Sequence, residues 1–349
     1  MRKHLLLLLS VLLSFSLVAA ACGDDDEGSD VSVGLVFDIG GEGDQSFNDS
    51  AAAGLARAAD ELGVATSKVS PNDDGSNRAE LLQLQADNSD IVLAIGFLFA
   101  GDAAAVSGEN PDINFAVVDD AMLDFDNGGV PVSDNTAGLT FAEEQGSFLV
   151  GAAAALKSET GTIGFIGGVC CFGLIEKFEA GYIAGAKAVN PDIEIISEYI
   201  TEFPNFDGFN DPASGKETAL AIYAQGADII YHAAGGTGAG LFEAAKEQSE
   251  ATGSKVWGIG VDSDQYNTVD PEVQEYVLTS MLKRVDSAVF EIIRAHINGT
   301  FEAGNTVYDL STDGVGYSTS GGYVDDIADQ LDDFKKQIVD GDIVVPTEP

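Results

Sequence analysis

The sequence predicts an α/β chain built as two doubly wound parallel-sheet lobes with a ligand cleft between them. Three observations carry that expectation. From Val31 onward, short apolar strands alternate with amphipathic helical stretches, the pattern of strand–helix units whose sheet is covered on both faces. Segments of the first half recur in the same order in the second half. The length of 349 residues with 45% hydrophobic content suits two cores, because single cores stop growing at roughly 250–300 residues.

The chain opens with Met1-Arg2-Lys3-His4 and an apolar run from Leu5 to Ala21, broken only by Ser10, Ser14 and Ser16. A positive start, a short apolar stretch and small residues at its end read as a secretory signal over residues 1–21. The run is short for a permanent span. Cys22 follows Ala19-Ala20-Ala21 and precedes Gly23, which resembles a bacterial lipobox whose Cys becomes the lipidated first residue. Ala19 stands where Leu is usual, and ordinary signal-peptidase cleavage nearby is the alternative. Residues 22–30 then carry Asp24-Asp25-Asp26-Glu27 and Asp30, a solvated acidic tether.

The first folded unit is a strand over Val31–Phe37, the loop Asp38-Ile39-Gly40-Gly41-Glu42-Gly43-Asp44, and a helix over about Phe47–Leu62. Ser46 is its expected N-cap, with Asp49 three residues on as capping-box partner. The unit recurs as the strand Thr162–Ile166, a glycine-rich loop and a helix opened by Phe178. Phe47 and Gly54 are seven apart, as are Phe178 and Gly185. Residues 86–92 parallel 224–230, and Phe115–Asp119 parallels Trp257–Asp262; the offsets rise smoothly through 131, 138 and 143. In doubly wound sheets ligands bind at the carboxyl ends of the strands. Here those ends are Asp38–Asp44, Asp119–Asp120, Gly235–Gly240 and Asp262–Gln265, an acidic, glycine-lined cleft that favours a hydroxyl-bearing ligand over an anion.

Composition excludes several classes. The 58 acidic and 16 basic residues give a net charge of −42, and −44 once residues 1–21 are removed. Such a chain repels phosphate backbones and anionic lipid, so no nucleic-acid partner is expected. Nucleophilic catalysis needs a Ser or Cys beside a positioned base. After the signal segment only His232, in a strand, and His296, near a helix end, are available. His232 reads as a satisfied buried histidine. No Gly-x-Ser-x-Gly elbow joins a strand to a helix. The run Gly235-Gly236-Thr237-Gly238-Ala239-Gly240 lacks dinucleotide-loop spacing, and Glu217 after Gly215-Lys216 breaks a phosphate loop; the glycines are expected to let backbone approach a ligand. Paired carboxylates for glycoside chemistry stay open on spacing alone. Cys170 and Cys171 read as two small buried thiols in preference to a vicinal disulfide, with no His nearby for a metal site. No catalytic residue, metal or cofactor is expected.

Longer motifs then become recognisable. Val33-Gly34-Leu35-Val36-Phe37-Asp38, leading to Asp44-Gln45-Ser46-Phe47-Asn48, resembles the opening of the basic membrane protein (Bmp) family, lipoproteins that bind purine nucleosides for ABC importers. The likeness continues through residues 139–149, 163–168 and 178–182, His232-Ala233-Ala234-Gly235-Gly236-Thr237-Gly238, residues 260–265, and Leu278–Asp286. The resemblance implies a type I periplasmic-binding-protein fold, with lobes of residues 31–138 plus 262–309 and 139–261 plus 310–349. Three chain crossings would lie near Gly138, Asp262 and residue 310. It implies no chemical step, a monomeric binding protein lipid-anchored outside the cell membrane, and an ABC permease and ATPase as partners. The purine would stack between Phe47 and a second ring, with Phe209 of Gly208-Phe209-Asn210-Asp211-Pro212 fitting better than Phe203 or Phe206. Asn48 and Asp119 match positions that bond the base edge. Asp262 and Lys283 match those holding ribose hydroxyls, Gly236 supplies backbone contact, and Asp38 faces the ligand. A sensor or sugar-binding protein of the same fold, or a nucleoside-cleaving enzyme, are the alternatives.

Overall fold

The structure, a computed structural model, describes residues 29–72 and 75–349. The expected signal peptide, Cys22 and all but the end of the tether lie outside the described residues. No helix among the described residues is long and apolar enough to cross a membrane.

The first pass of the chain lays down β1 (Ser32–Val36), α1 (Phe47–Leu62), β2 (Ala65–Val69), α2 (Arg78–Ala86), β3 (Ile91–Ala94), α3 (Ala100–Glu109) and β4 (Asn114–Val118). A small hairpin, β5 (Leu123–Asp124) and β6 (Val130–Pro131), precedes β7 (Thr136–Phe141). The second pass gives α4 (Glu143–Lys157), β8 (Thr162–Cys170), α5 (Ile175–Val189), β9 (Glu194–Glu202), α6 (Pro212–Ala224) and β10 (Ile229–Ala233). It continues through α7 (Ala239–Thr252), β11 (Trp257–Asp262), the one-turn α8 (Gln265–Thr268) and β12 (Val277–Lys283). The chain then returns through α9 (Val285–Ile297) and β13 (Gly304–Tyr308), and ends with β14 (Val315–Tyr317) and α10 (Ala328–Val339).

The two sheets have the same order. One runs β2-β1-β3-β4-β7-β13 and the other β9-β8-β10-β11-β12-β14. All neighbours are parallel except β14, which runs antiparallel to β12. Central strands such as β3 and β10 are buried at every residue, as expected where helices cover both faces of a parallel sheet. The seven-residue Phe–Gly spacing has a packing cause on its glycine side. A Cβ on Gly54 would sit 2.3 Å from the Asp286 carbonyl of α9, and one on Gly185 would collide with the Phe148 carbonyl of α4. Each glycine is where paired helices of its lobe touch backbone to backbone.

The crossings between lobes lie at Ala142, Arg284 and Asp309, following β7, β12 and β13. Two sequence expectations are corrected. The first sheet keeps the chain through Phe141, because Thr140 and Phe141 register with Val307 and Tyr308 of β13. Asp262 does not hand the chain back either. After α8 it re-enters the second sheet as β12, paired with β11, so residues 262–283 belong to the second lobe. The helix expected to open at Phe178 starts at Ile175, putting Phe178 in its first turn.

Cys170 and Cys171 form a vicinal disulfide at the end of β8, with Cys171 exposed; they are not buried thiols. His232 is fully buried in β10, its Nε2 2.8 Å from Gln265 Oε1, and burial lowers its pKa to about 4. Its Nδ1 has no hydrogen-bond partner. The glycine run mostly packs protein on protein: Gly238 lies against the His232 ring and Gly240 against the Pro212 carbonyl.

Asp44, Glu143, Glu179, Asp228 and Asp262 are buried residues, and Asp38 and Asp119 bury carboxylate oxygens as well, but most of the 58 acids stay in contact with solvent. Their mutual repulsion is screened by salt. The melting temperature should therefore rise by roughly 5 °C or more between low and molar salt. A flat or falling melting curve series would remove this account of the charge.

Candidate functional site

The strand ends of both lobes converge on one cavity, lined by residues 38–39, 44, 47–48, 97 and 119 of the first lobe and 174–175, 178, 209, 233–235, 261–262 and 283 of the second. About 590 Å³ of unfilled space lies between these residues, part of it open to solvent.

The β1–α1 loop is organised by Asp44, not by Ser46. Asp44 Oδ1 accepts from the Ser46 and Asp49 amides at 2.9 and 3.1 Å, and its Oδ2 accepts from the Asn48 amide at 2.8 Å. These bonds satisfy the free N–H groups at the start of α1, the job of a cap. The expected Ser46–Asp49 capping box is absent: Ser46 makes no side-chain cap bond, and Asp49 instead accepts from the Gly43 and Gln45 amides at 2.6 and 2.9 Å. Ser46 is freed to donate across the cleft to Asp262 Oδ2 at 2.6 Å. Asn48 braces the same loop, accepting from the Asp38 amide at 2.9 Å and donating to Ile39 O and Asp44.

Two aspartates at equivalent strand ends share an unusual backbone. Asp119, after β4, has φ +68°, and Asp262, ending β11, has φ +62°. A non-glycine residue rarely adopts this left-handed geometry, and such strain gathers at functional sites. It turns both carboxylates onto the cavity. Between them Lys283, 2% exposed, ends β12 with its Nζ 2.7 Å from the Asp119 carboxylate and 3.3 Å from Glu143 Oε1. The Phe141, Phe47 and Phe178 rings lie 5.1, 5.2 and 5.5 Å from that ammonium, within cation–π range. The resemblance sends Asp119 to the base edge and Lys283 to the ribose; the structure joins them as an ion pair.

On the second lobe, Phe209 ends a 3-10 turn, Phe206–Phe209. Thr237 fixes that turn by donating to Gly208 O and accepting from the Asp211 amide, both at 2.7 Å. The Phe209 ring lies over Gly168, where a Cβ would come within 2.4 Å of it. Phe209 is the ring of its loop that lines the cavity; Phe206 packs outside it and Phe203 is 55% exposed. Gly236 faces Asn210 and Asp44 at the junction of the lobes, while its neighbours Ala233, Ala234 and Gly235 form the wall.

The cavity carries carboxylates out of water. Burial pushes Asp38 and Asp262 up to about 7, against the opposing pull of Arg78 on Asp38 and of Lys283 and Ser46 on Asp262. Burial also raises Asp44 and Asp119. Burial alone would lower Lys283, but Asp119, Glu143 and Asp262 more than offset it and hold the ammonium above the ordinary lysine value. Asp38 Oδ1 and Arg78 Nε are buried without a hydrogen-bond partner, the two groups 3.9 Å apart at the closest. Acceptors without donors, one ammonium and apolar rings suit a neutral ligand with hydroxyls and a flat face. Among the described residues no cluster of His, Cys, Asp and Glu could hold a metal ion.

Seven of the eight expected ligand residues, Asp38, Phe47, Asn48, Asp119, Phe209, Asp262 and Lys283, thus line one cavity, and Gly236 adjoins it. Sequence reasoning missed Asp44, Phe97, Phe178 and Glu143. Asp44 and Phe178 stood inside recognised motifs but carried no assigned role. Phe97 follows β3 in a turn with no polar residue beside it to mark it.

Two α/β lobes with a polar cleft at their strand ends are the architecture of the periplasmic-binding type. The chain belongs to the Bmp family, ABC transporter substrate-binding proteins that are PnrA-like, whose family model matches residues 31–348. It is similar to a CD4+ T-cell-stimulating antigen of Listeria innocua, at 34% identity over 100% of this chain and 99% of that one. The ABC transporter nucleoside-binding protein BmpA of Lactococcus lactis is 32% identical, with both chains fully covered. Basic membrane protein A of Borreliella burgdorferi is 32% identical over 98% of this chain and 95% of its own. Among solved structures, an ABC transporter solute-binding protein from Aeropyrum pernix matches with a TM-score of 0.76 and 28% identity, covering 90% and 94% of the two chains. The type I fold and the family expected from the motifs are thus shown, and with them an extracytoplasmic, small-molecule role served by a permease and an ATPase.

Proposed function

We propose that this chain binds a purine nucleoside in its cleft by closure of the two lobes and presents it to an ABC permease. The carrying observation is the cavity itself: Phe47 and Phe209 come from opposite lobes, beside Asp38, Asp119, Asp262 and Lys283. The Lactococcus lactis relative, a nucleoside-binding protein, supports the ligand class. In this reading the base stacks between Phe47 and Phe209, while Asp38 and Asp262 accept from ribose hydroxyls. Asp119 and Lys283 act as a pair, one accepting and one donating. Asn48 and Asp44 hold the loop that carries Phe47, and backbone at Ala234–Gly236 closes the wall. The dense carboxylates reject nucleotides. In this reading Cys22 carries the lipid, and the protein works as a monomer.

Calorimetry with inosine, guanosine, adenosine and cytidine tests the ligand, with purines expected to bind and inosine monophosphate to bind far more weakly. Binding of none of the nucleosides would sink the reading. Phe47→Ala should weaken binding about 10- to 100-fold, since stacking contributes about 1–3 kcal/mol per base, with little change in melting temperature. The reading contains no chemical step, so inosine incubated with the protein should be recovered intact. Release of hypoxanthine would favour the enzyme alternative.

A further inference from the structure

Phe97 follows β3 in the first lobe, in the 3-10 turn Phe97–Phe99. Its ring is stacked on Phe172 of the second lobe, with centroids 5.0 Å apart and planes at 28°, and meets Phe206 edge-on at 5.8 Å. Phe172 and Phe206 are themselves edge-to-face at 5.9 Å, and Phe203 packs on Phe206 at the same distance. One ring from the first lobe is therefore seated against two from the second, with Phe203 behind Phe206. Phe97 also lines the cavity, whereas Phe172 and Phe206 do not.

The loop that carries Phe172 is held in place. It begins at the Cys170–Cys171 disulfide. Glu176 accepts from the Cys171 amide and, at 2.8 Å, from the Gly173 amide. Two residues further on, Leu174 and Ile175 line the cavity. The loop is thus a fixed socket at the cavity's edge and the Phe97 ring is the part that enters it. Hinge rotation that separates the lobes must withdraw Phe97 from Phe172 and Phe206, uncovering faces of all three rings. Offset-stacked and edge-to-face rings attract beyond their area burial, and their separation is resisted until the lobes part.

We propose that Phe97, Phe172 and Phe206 form an aromatic clasp between the lobes, with Phe97 a positioning residue that sets how long the closed cleft retains its ligand. The site's own residues set which ligand fits, and the clasp sets its release. This rests on the lobe closure of the proposed function, and on its nucleoside reading only for the choice of probe.

The test is stopped-flow release of inosine from the full-length protein. Phe97→Ala, Phe172→Ala and Phe206→Ala should each speed dissociation about tenfold while leaving association within about twofold, because affinity changes fall mostly on the off-rate. Phe97→Tyr should restore slow release. The Phe97→Ala/Phe172→Ala double variant should be no faster than about twice either single, since both break one contact. Fully additive effects, or Phe172→Ala and Phe206→Ala releasing inosine at the wild-type rate, would overturn the clasp. Should no nucleoside bind the wild type, the nucleoside reading fails by itself. The clasp is then read from the distance between labels on the two lobes in the free protein. Phe97→Ala and Phe172→Ala should each shift that distribution toward larger separations, and an unchanged distribution would overturn it.

Discussion

Replacing Lys283 by methionine should lower stability at pH 7.5 by about 3–5 kcal/mol and abolish nucleoside binding. The size follows from what is left behind. Lys283 is 2% exposed and neighbours Asp119 and Glu143, with Asp262 also acting on its charge. Removing one partner of a buried ionic cluster leaves uncompensated charge in a dry site, which costs far more than the pair itself contributes. Much of the loss should return near pH 5.5, where protonation can neutralise the stranded carboxyls. A second variant separates charge from shape. Lys283→Met combined with Asp119→Asn should be more stable at pH 7.5 than Lys283→Met alone, yet still fail to bind. Denaturant titrations at the two pH values check this. Equal stability of Lys283→Met and wild type at pH 7.5 would show that the cluster is not electrostatically coupled.

Stability and affinity should respond to pH in opposite directions. Asp38 and Asp262 sit at about 7 in the folded protein because of burial, above an unfolded value near 4. The folded state therefore holds more protons than the unfolded state between those values, and stability must rise as pH falls through 7. Buried His232 works the other way, since its pKa is lowered to about 4. Its effect begins only as the unfolded imidazole titrates near 6.5, so the clean window is pH 8 to 6.5. Across it the two aspartates should add about 1–2 kcal/mol, a rise of roughly 3–6 °C in melting temperature for the unliganded protein. Hydroxyl donors are held best by the ionised carboxylates, so inosine affinity should fall about tenfold over the same window. Asp38→Asn and Asp262→Asn should each flatten the melting trend. Affinity that strengthens on acidification would mean these aspartates do not accept from the ligand.

The parts of this site that were legible in the sequence are those with a local cause. Asp38, Asp119 and Asp262 each end an apolar run, and a carboxylate cannot continue into a sheet interior. Phe47 stands in a unit that recurs around Phe178, but its stacking role is implied by the resemblance to the Bmp family and not by a local cause. What was not legible depends on three dimensions. Whether Asp44 or Ser46 caps α1 is decided by the turn over residues 40–43, where Gly40, Gly41 and Gly43 all have positive φ. The sheet that receives Val277–Lys283 cannot be read from its apolar character, since a strand buried on both faces looks alike in either lobe. Glu143 matters only because the crossing at Ala142 delivers it to Lys283. Phe97 has no polar neighbour at its strand end, and its partners lie some 75 and 109 residues away along the chain.

The order in which the chain visits its lobes also bears on how it can be made. The first lobe acquires α9 and its sixth strand, β13, only at residues 285–308, after every parallel strand of the second lobe. Until then its β7 edge lacks its neighbour, and α1 lacks the helix that Gly54 is shaped to meet. Neither lobe can be cut out as a continuous piece, and the amino-terminal lobe cannot finish folding while it emerges first. The first lobe can therefore complete its sheet and its helix pair only once residues 285–308 have been made.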